Sequence, residues 1–505
     1  MRRFRKGRAI MSKIGFDSEK YLSMQSARIE ERINEFGGKL YLEFGGKLFD
    51  DFHAARVLPG FAPDNKIKML EKLKDRAEIV IVISAQDIAK NKVRADLGIT
   101  YDEDVLRLID IFRSYGLYVG SVVLSMYSEE NEPAKIFKAR LEKLGFRVYR
   151  HYAIKGYPHN VPYIVSQEGF GKNEYIETER NLVVITAPGP GSGKMATCLS
   201  QLYHDFCRGN KSGYAKYETF PIWNLPLMHP VNVAYEAATA DLNDMNMIDP
   251  WHLAAYGEST VNYNRDVEIF PVLNAIFEKL LGKSPYQSPT DMGVNMAGYC
   301  ISDDEACCEA SKQEILRRYY KALVSEIKHH KDSTESDKIA RLMQSLHICA
   351  EDRAVVVAAG EKSAQNDCPA AAIELPTGEI VTGRTTDLFG CSASMILNAL
   401  KTLAGIADDV KLIDRRCIVP VQELKTRYLG GKNPRLHVDE MLVALCSSAA
   451  TNPVAQLAME QLPKLAGCEA HTTVILSHID EKMFRQLGVH LTSEPVYRNK
   501  TVYHE

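Results

Sequence analysis

An alternation of helical and strand-like segments that begins near residue 65 constrains this chain more than any other feature. A helical pattern at 66–74 leads to an apolar run at 78–84, and an amphipathic stretch at 102–115 leads to another at 118–126. A third helical stretch, 133–144, ends at Gly145 before 147–154. Helix and strand alternating at roughly 30- to 40-residue spacing is βαβ architecture, which builds a largely parallel sheet. Ahead of it, 18–36 reads as a helix stopped by Gly37 and Gly38, and 39–48 as a strand bent by Gly45, Gly46 and Lys47. The fold class is α/β.

The alternation leads into residues 181–205. A β-branched run at 182–185 is followed by a glycine-rich bend, then by Lys194 and a helical spacing of Met195, Leu199 and Leu202. In a strand-loop-helix turn of this kind, glycines let backbone N–H groups crowd around an anion. The helix start adds unpaired donors and a positive dipole end, and a lysine adds a point charge. Gly189, Gly191, Ser192, Gly193 and Lys194 are therefore the candidate phosphate-binding residues. Against the nucleotide-binding template G-x-x-x-x-G-K-[ST], Pro188 stands at the first glycine and Met195 at the hydroxyl that would hold magnesium. The loop reads as a cradle for a small phosphorylated molecule, with ATP or another phosphate ligand and magnesium as the cofactors to consider. The alternative is a plain turn with an exposed lysine. Ligands of open parallel sheets gather at the carboxyl ends of the strands, so the loop at Ala85, Gln86 and Asp87 and the one after Met126 are expected on the same edge.

Candidate catalytic groups come from polar density. Asp50, Asp51 and His53 lie in one short segment, which lines a site or is a solvated loop, and Asp241 is a further acid. From His229 to about 348 strand signals nearly vanish and helices are expected at 231–242, 265–281 and 303–327, the last with a capping box from Ser302 to Glu305. Asn232, Tyr235, Glu236 and Thr239 share one helical face. Buried, such a face is costly unless partnered, so it meets solvent or lines a polar pocket. Asn264, Arg265, Thr290 and Asp291 are further pocket candidates, with helix capping as the plain alternative for Asn264 and Thr290. Beyond Arg353 strands are expected at 354–359, near 411–413 and at 472–476, with a hairpin at 370–375 and 379–382 that feeds a helix at 391–403. This describes three parts: an α/β domain at 11–226, a helical domain at 227–350 and a second α/β domain at 351–505. Residues 1–10 read as an extension ahead of Met11.

Composition removes several function classes. A formal net charge of -3 with 25% charged residues lacks the basic excess of nucleic-acid binders. No apolar run approaches the ~18 residues of a membrane span. All eleven cysteines lie at or beyond Cys198 without a C-x-x-C pair, which reads as reduced thiols in a cytoplasm.

Five stretches, Gly45 to His53, Thr186 to Lys194, His229 to Asp241, Ser288 to Asn295 and Ala370 to Leu403, carry a resemblance to an uncharacterised family of bacterial proteins of unknown function. The resemblance implies a C-terminal domain with a fold similar to cytidine deaminase, and no reaction. Zinc deaminases need H-x-E or C-x-E followed by P-C-x-x-C. Here C-x-E occurs only at Cys307 and Cys349, ahead of that domain, and Cys391 is followed by no C-x-x-C. The fold is thus expected without zinc, and metal ligands are assigned to no residue. Three functions remain. The first is an enzyme of phosphoryl transfer or hydrolysis using the 189–194 loop. The second is a binding or homo-oligomeric scaffold. The third is a metal-free transferase with Arg384, Thr385, Thr386 and Asp387 around its pocket.

Overall fold

A computed structural model describes residues 14–46, 48–94, 97–242 and 244–498. Residues 1–10, expected to be an extension, lie outside the described residues, as do Met11 and Lys47. Two compact units divide the chain, one of Ile14–Glu236 with Leu242–Cys308, the other centred on Glu309–Glu505 and including Ala237–Asp241. The stretch expected as a separate helical domain is shared between them.

The first unit is built on the expected series. Helix α1 (Ser18–Glu35) precedes β1 (Leu40–Phe44), and α2 (Asn65–Lys72) leads to β2 (Ala77–Ser84). Helix α3 (Tyr101–Ser114) leads to β3 (Tyr118–Tyr127), and α4 (Glu132–Lys143) to β4 (Arg147–Tyr152). Strand β5 (Leu182–Thr186) and helix α5 (Lys194–Cys207) then lead to β6 (Gly213–Tyr217). After α6 (Pro230–Ala238) and α7 (Asn264–Leu281), a two-residue strand β7 (Gly293–Val294) joins the edge, in a region where only helices were expected. The seven strands lie in the order β7-β6-β1-β5-β2-β3-β4, and each adjacent pair is parallel.

Alternate strand residues serve opposite faces, as the two-residue period of a strand demands. Leu182 and Val184 join a core with Ile67 and Leu70 of α2, Ile109 of α3 and Phe137 of α4. Val183 and Ile185 join another with Leu199 and Leu202 of α5 and Phe270 and Phe277 of α7. Strands buried on both faces explain the continuous apolar runs that made the elements readable.

Strand order also defines a switch. The chain leaves β1 toward β2 across the place of β5, and leaves β5 toward β6 across β1. The connections diverge on opposite faces, which opens a crevice at the carboxyl ends of β1 and β5, where ligands of such sheets bind.

The second unit holds a four-stranded sheet. After α8 (Asp304–His329), of which Glu309 onward belongs here, α9 (Ala354–Asn366) precedes β8 (Ala370–Glu374) and β9 (Ile380–Arg384). Helices α10 (Cys391–Ala404) and α11 (Val438–Ala449) follow, then β10 (Glu469–Thr472), α12 (His478–Gln486) and β11 (His490–Ser493). Strand order is β9-β8-β10-β11, antiparallel except for the last pair.

Three expected strands differ. Residues 354–359 are helix: Val355 and Ala359 are buried while Val357 is exposed, a four-residue spacing that a short β-branched run conceals. Residues 411–413 are irregular, though Leu412 and Ile413 are buried. The strand expected at 472–476 ends at Thr472. The cap of α8 is Asp303, which accepts from the Ala306 N–H at 3.0 Å, in place of Ser302.

Candidate functional site at the carboxyl edge of the parallel sheet

Glu43 of β1 pairs in register with Ile185 of β5, so the loops beyond both strands open on one edge. The 189–194 loop crosses that edge and is fastened to the end of β3, the Ser125 hydroxyl donating to the Ser192 carbonyl at 2.5 Å. Its three glycines have separate causes. A Cβ on Gly189 would sit 2.3 Å from the Tyr101 hydroxyl, Gly191 has φ +74 in open space, and Gly193 has φ +91 beside Ser125. Gly193 is the N-cap of α5 and supplies no side-chain cap. On either side of it in the chain, the Ser192 and Thr197 hydroxyls are buried and have no hydrogen-bond partner among the described residues. A helix start without a side-chain cap, two unpartnered hydroxyls and half-buried Lys194 make a place where an anion gains donors and displaces no protein group.

Behind the loop stands a cluster that polar density in the sequence did not indicate. Glu43 is buried and accepts from the Tyr214 hydroxyl at 2.8 Å. Lys216, on β6, reaches Glu218 at 2.6 Å and also pairs with Asp266 at the start of α7. Burial works against the Lys216 charge, but Asp266, Glu218 and Glu43 together hold it above the ordinary lysine range. Burial pushes Glu218 up to about 7, against the pull of Lys216. Cys198, one turn into α5, is pushed far up by burial and then by the Glu43 charge, while Lys194 acts in the opposite sense. Cys198 thus feels both the loop and the acid cluster. The sequence signal was a charged residue near the end of an otherwise apolar strand, Glu43 in Leu40–Phe44 and Lys216 in Gly213–Tyr217.

Of the acids singled out by density, Asp51 has framework partners. Asp51 caps the short helix Phe52–Val57, accepting from Ala54 N–H at 3.2 Å, and pairs with buried Lys66 at 2.6 Å. Burial raises its carboxyl, but Lys66 outweighs this and holds it below the usual range. His53 packs its ring against Phe220 and Tyr235 at 5.2 and 5.5 Å. Asp50 is half-buried beside them in sequence. Asp241 is exposed in the 3-10 turn Ala240–Leu242 and counts with the second unit.

The expected pocket residues are engaged by the protein itself. Asn232 is fully buried, its amide spanning the N–H and carbonyl of Ile222 at 2.7 and 3.1 Å, so the costly polar face is satisfied by backbone. Tyr235 stacks on Phe220, and Glu236 accepts from the Asn246 N–H at 3.2 Å. Asn264 accepts from Met245 N–H at 3.1 Å, and Arg265 holds Asp244 through two nitrogens at 2.7 and 2.8 Å. Thr290 donates to Asp249 at 2.6 Å, and Asp291 accepts from Tyr256 and from the Gln287 N–H. Thr239 is buried near the end of α6.

One group among the described residues has the ligand types and spacing to hold a metal ion: His229, Asp304 and Cys308, their ligand atoms within 4.8 Å of one another. His229 Nε2 lies 3.0 Å from Asp304, while its Nδ1 accepts from the Val231 N–H at 3.3 Å. That second bond puts the neutral ring's proton on Nε2, so a cation there would have to displace it.

In the second unit, Arg384, Thr386 and Asp387 border one cavity with Lys362 and Asn398, whereas Thr385 borders another with Cys391 and His437.

The fold and its edge define an open parallel α/β protein with a glycine loop and a buried acid–lysine cluster at the switch point. The chain belongs to the family described as domain of unknown function DUF1846, its N-terminal part matching over residues 14–347 and its C-terminal part over 351–503. It is 60% identical over 494 residues to the UPF0371 protein DIP2346 of Corynebacterium diphtheriae, covering 98% of this chain and 99% of that one. A UPF0371 protein of Streptococcus sanguinis is 57% identical over 493 residues, covering 98% of this chain and 100% of that one.

Proposed function

We propose that this protein is an enzyme acting on a small phosphorylated molecule, which it binds through the 189–194 loop at the switch point of its parallel sheet. The observation that carries this reading is the start of α5, opened by left-handed Gly193 without a side-chain cap and flanked by the unpartnered Ser192 and Thr197 hydroxyls. Lys194 supplies the positive charge for phosphate oxygens. Glu43, Lys216, Glu218 and Asp266 supply the proton-handling or magnesium-binding groups of a phosphoryl-transfer or hydrolysis reaction, in place of Asp50, Asp51, His53 and Asp241. Eleven free thiols and the lack of any long apolar helix among the described residues support placement in the cytoplasm.

Calorimetric titration with ATP, GTP and sugar phosphates tests the reading. Binding is expected for at least one, and Lys194→Ala weakens it about tenfold or more while the melting temperature stays unchanged, because a charge-assisted hydrogen bond contributes roughly 1.5–3 kcal/mol. Absence of heat with every compound at millimolar concentration overturns it. For the second unit we infer the deaminase-like fold, on the antiparallel hairpin Ala370–Arg384 that feeds α10. Superposition of an experimental structure of that unit on deaminases checks this.

A further inference from the structure

The second unit holds a cavity of about 530 Å³ beside its edge strand, in the size range of small-molecule sites. Four elements wall it: β9, the turn that follows, α10, and α9 through Lys362. Each is fixed by the fold. Helix α10 lies so close on β9 that a Cβ on Gly383 would sit 2.2 Å from the Met395 backbone nitrogen. The turn folds on the Thr386 hydroxyl, which accepts from the Leu388 and Phe389 N–H groups at 3.2 and 3.0 Å. Arg435 Nε donates to the Thr386 carbonyl at 2.7 Å and holds the turn from its other side in the chain. Asn398 Nδ2 donates to the Thr382 carbonyl at 2.9 Å, which leaves Oδ1 of that amide as an acceptor without a partner among the described residues.

Charges of both signs line this cavity without being spent on the protein. Lys362 is half-buried, Arg384 and Asp387 are exposed, and none of these three side chains makes a hydrogen bond or ion pair among the described residues. Ser394 lines the same cavity and is 9% exposed, and its hydroxyl is buried with no hydrogen-bond partner among the described residues. Buried polar atoms left in that state are rare in native interiors. Rotation about the serine Cα–Cβ bond is the movement that turns such a hydroxyl toward a ligand. Leu388, Phe389 and Leu397 supply an apolar wall between the charged groups and the helix.

We propose that this cavity binds a small zwitterion with a bulky apolar side chain, a free α-amino acid or a dipeptide. Arg384 and Lys362 hold its carboxylate, to which a guanidinium offers a planar fork of donors and an ammonium a point charge. Asp387 and Asn398 Oδ1 accept from its ammonium. Leu388, Phe389 and Leu397 cover its side chain, and the Ser394 hydroxyl gains in the ligand the partner that the protein does not provide. Unpaired charges of both signs in one cavity set a zwitterion above a plain anion. An organic acid or a phosphate ester uses the two cations but meets Asp387 as a like charge, whereas a zwitterion engages all three. The proposal concerns the second unit and is independent of the phosphate reading of the first.

The test is calorimetric titration of the full-length protein with phenylalanine, leucine and phenylalanyl-leucine, each beside its analogue without the ammonium and its analogue without the carboxylate. Binding is expected for at least one zwitterion, with both of its truncated analogues weaker by about tenfold or more, the share of a charge-assisted hydrogen bond. Whether the free amino acids or the dipeptide bind more tightly identifies the source. Arg384→Ala weakens the zwitterion by about tenfold or more, and in Asp387→Asn the gap between the zwitterion and its analogue without the ammonium closes. Both positions are exposed, and circular dichroism verifies that the variants fold. Absence of heat with every zwitterion at millimolar concentration, an analogue without the ammonium that binds wild type as tightly as its parent, or an unchanged affinity in folded Arg384→Ala overturns the proposal. Should Arg384→Ala fail to fold, the wild-type comparison of each zwitterion with its analogues still decides it.

Discussion

Gly189 and Gly191 stand two positions apart in one loop and are glycine for different reasons. At Gly189 the obstacle is packing, since an added methyl would meet the Tyr101 hydroxyl at 2.3 Å and two ring carbons at 2.7 and 2.9 Å. At Gly191 the obstacle is backbone alone, a φ of +74 with no atom within 4 Å of the would-be Cβ. Gly189→Ala is therefore expected to destabilise by about 1–3 kcal/mol, the range of overpacking. Gly191→Ala is expected to cost nearer 1 kcal/mol, the left-handed penalty of an ordinary residue. Urea denaturation midpoints of the two variants check the order. A larger loss at Gly191 would mean that the loop is tighter around its tip than around Tyr101. Sequence identified both residues as a bend but could not separate these causes, because Tyr101 meets Gly189 only through the tertiary fold.

At the scale of elements, the second unit is tied through Arg353, at the start of α9, which is 1% exposed. Its guanidinium reaches Glu469 on β10 at 2.6 Å, Thr492 on β11 at 3.1 Å, and the carbonyls of Ala470 and His490 at 3.1 and 3.0 Å. One side chain thereby joins a helix to two parallel strands. Removing one member of a buried pair costs about 3–5 kcal/mol. Arg353→Ala is expected at the low end, because Glu469 keeps Arg317 at 2.5 Å. Chemical denaturation followed by far-ultraviolet dichroism measures it, and a loss under about 1 kcal/mol would show that backbone contacts alone hold α9 in place. The same helix marks where reading from sequence stops. The βαβ series was readable because its inner strands are buried on both faces and its helices are amphipathic, so the two periods stand apart. Around α9 the run of three valines masks a helical stripe, Val355 and Ala359, that packs on Ala372 of β8, and the Arg353 partners on β10 and β11 lie more than 100 residues later. The glycine loop was readable as local chemistry. Glu43, Lys216 and Asp266 were not, because β1, β6 and α7 bring them together from three separate parts of the chain.

For the whole molecule, opposing proton linkages set the response to pH. His151 on β4 is 4% exposed, and burial lowers its pKa to about 4, against a weaker upward pull from the Glu174 carbonyl, 3.1 Å from Nε2. Burial likewise lowers His204. Between pH 6.5 and 4 the unfolded chain takes up protons on these rings that the native state refuses, so their contribution to stability is complete above 6.5 and falls as pH falls. Glu218 works the other way. With its pKa raised by burial to about 7, the native protein keeps a proton that the unfolded chain loses above the ordinary carboxyl range, so this contribution declines as pH rises toward 7. His151→Gln should therefore flatten the acid limb, reducing the stability difference between pH 6.5 and 5 by about 2 kcal/mol, the value of 1.5 pKa units. Glu218→Gln should flatten the other limb and leave the acid one in place. Urea midpoints measured from pH 4.5 to 8 for wild type and both variants separate the two. An unchanged acid limb in His151→Gln would mean that His151 is not held neutral by burial, and that the acid sensitivity of the protein is carried by carboxylates such as Asp51, which Lys66 holds in its charged form.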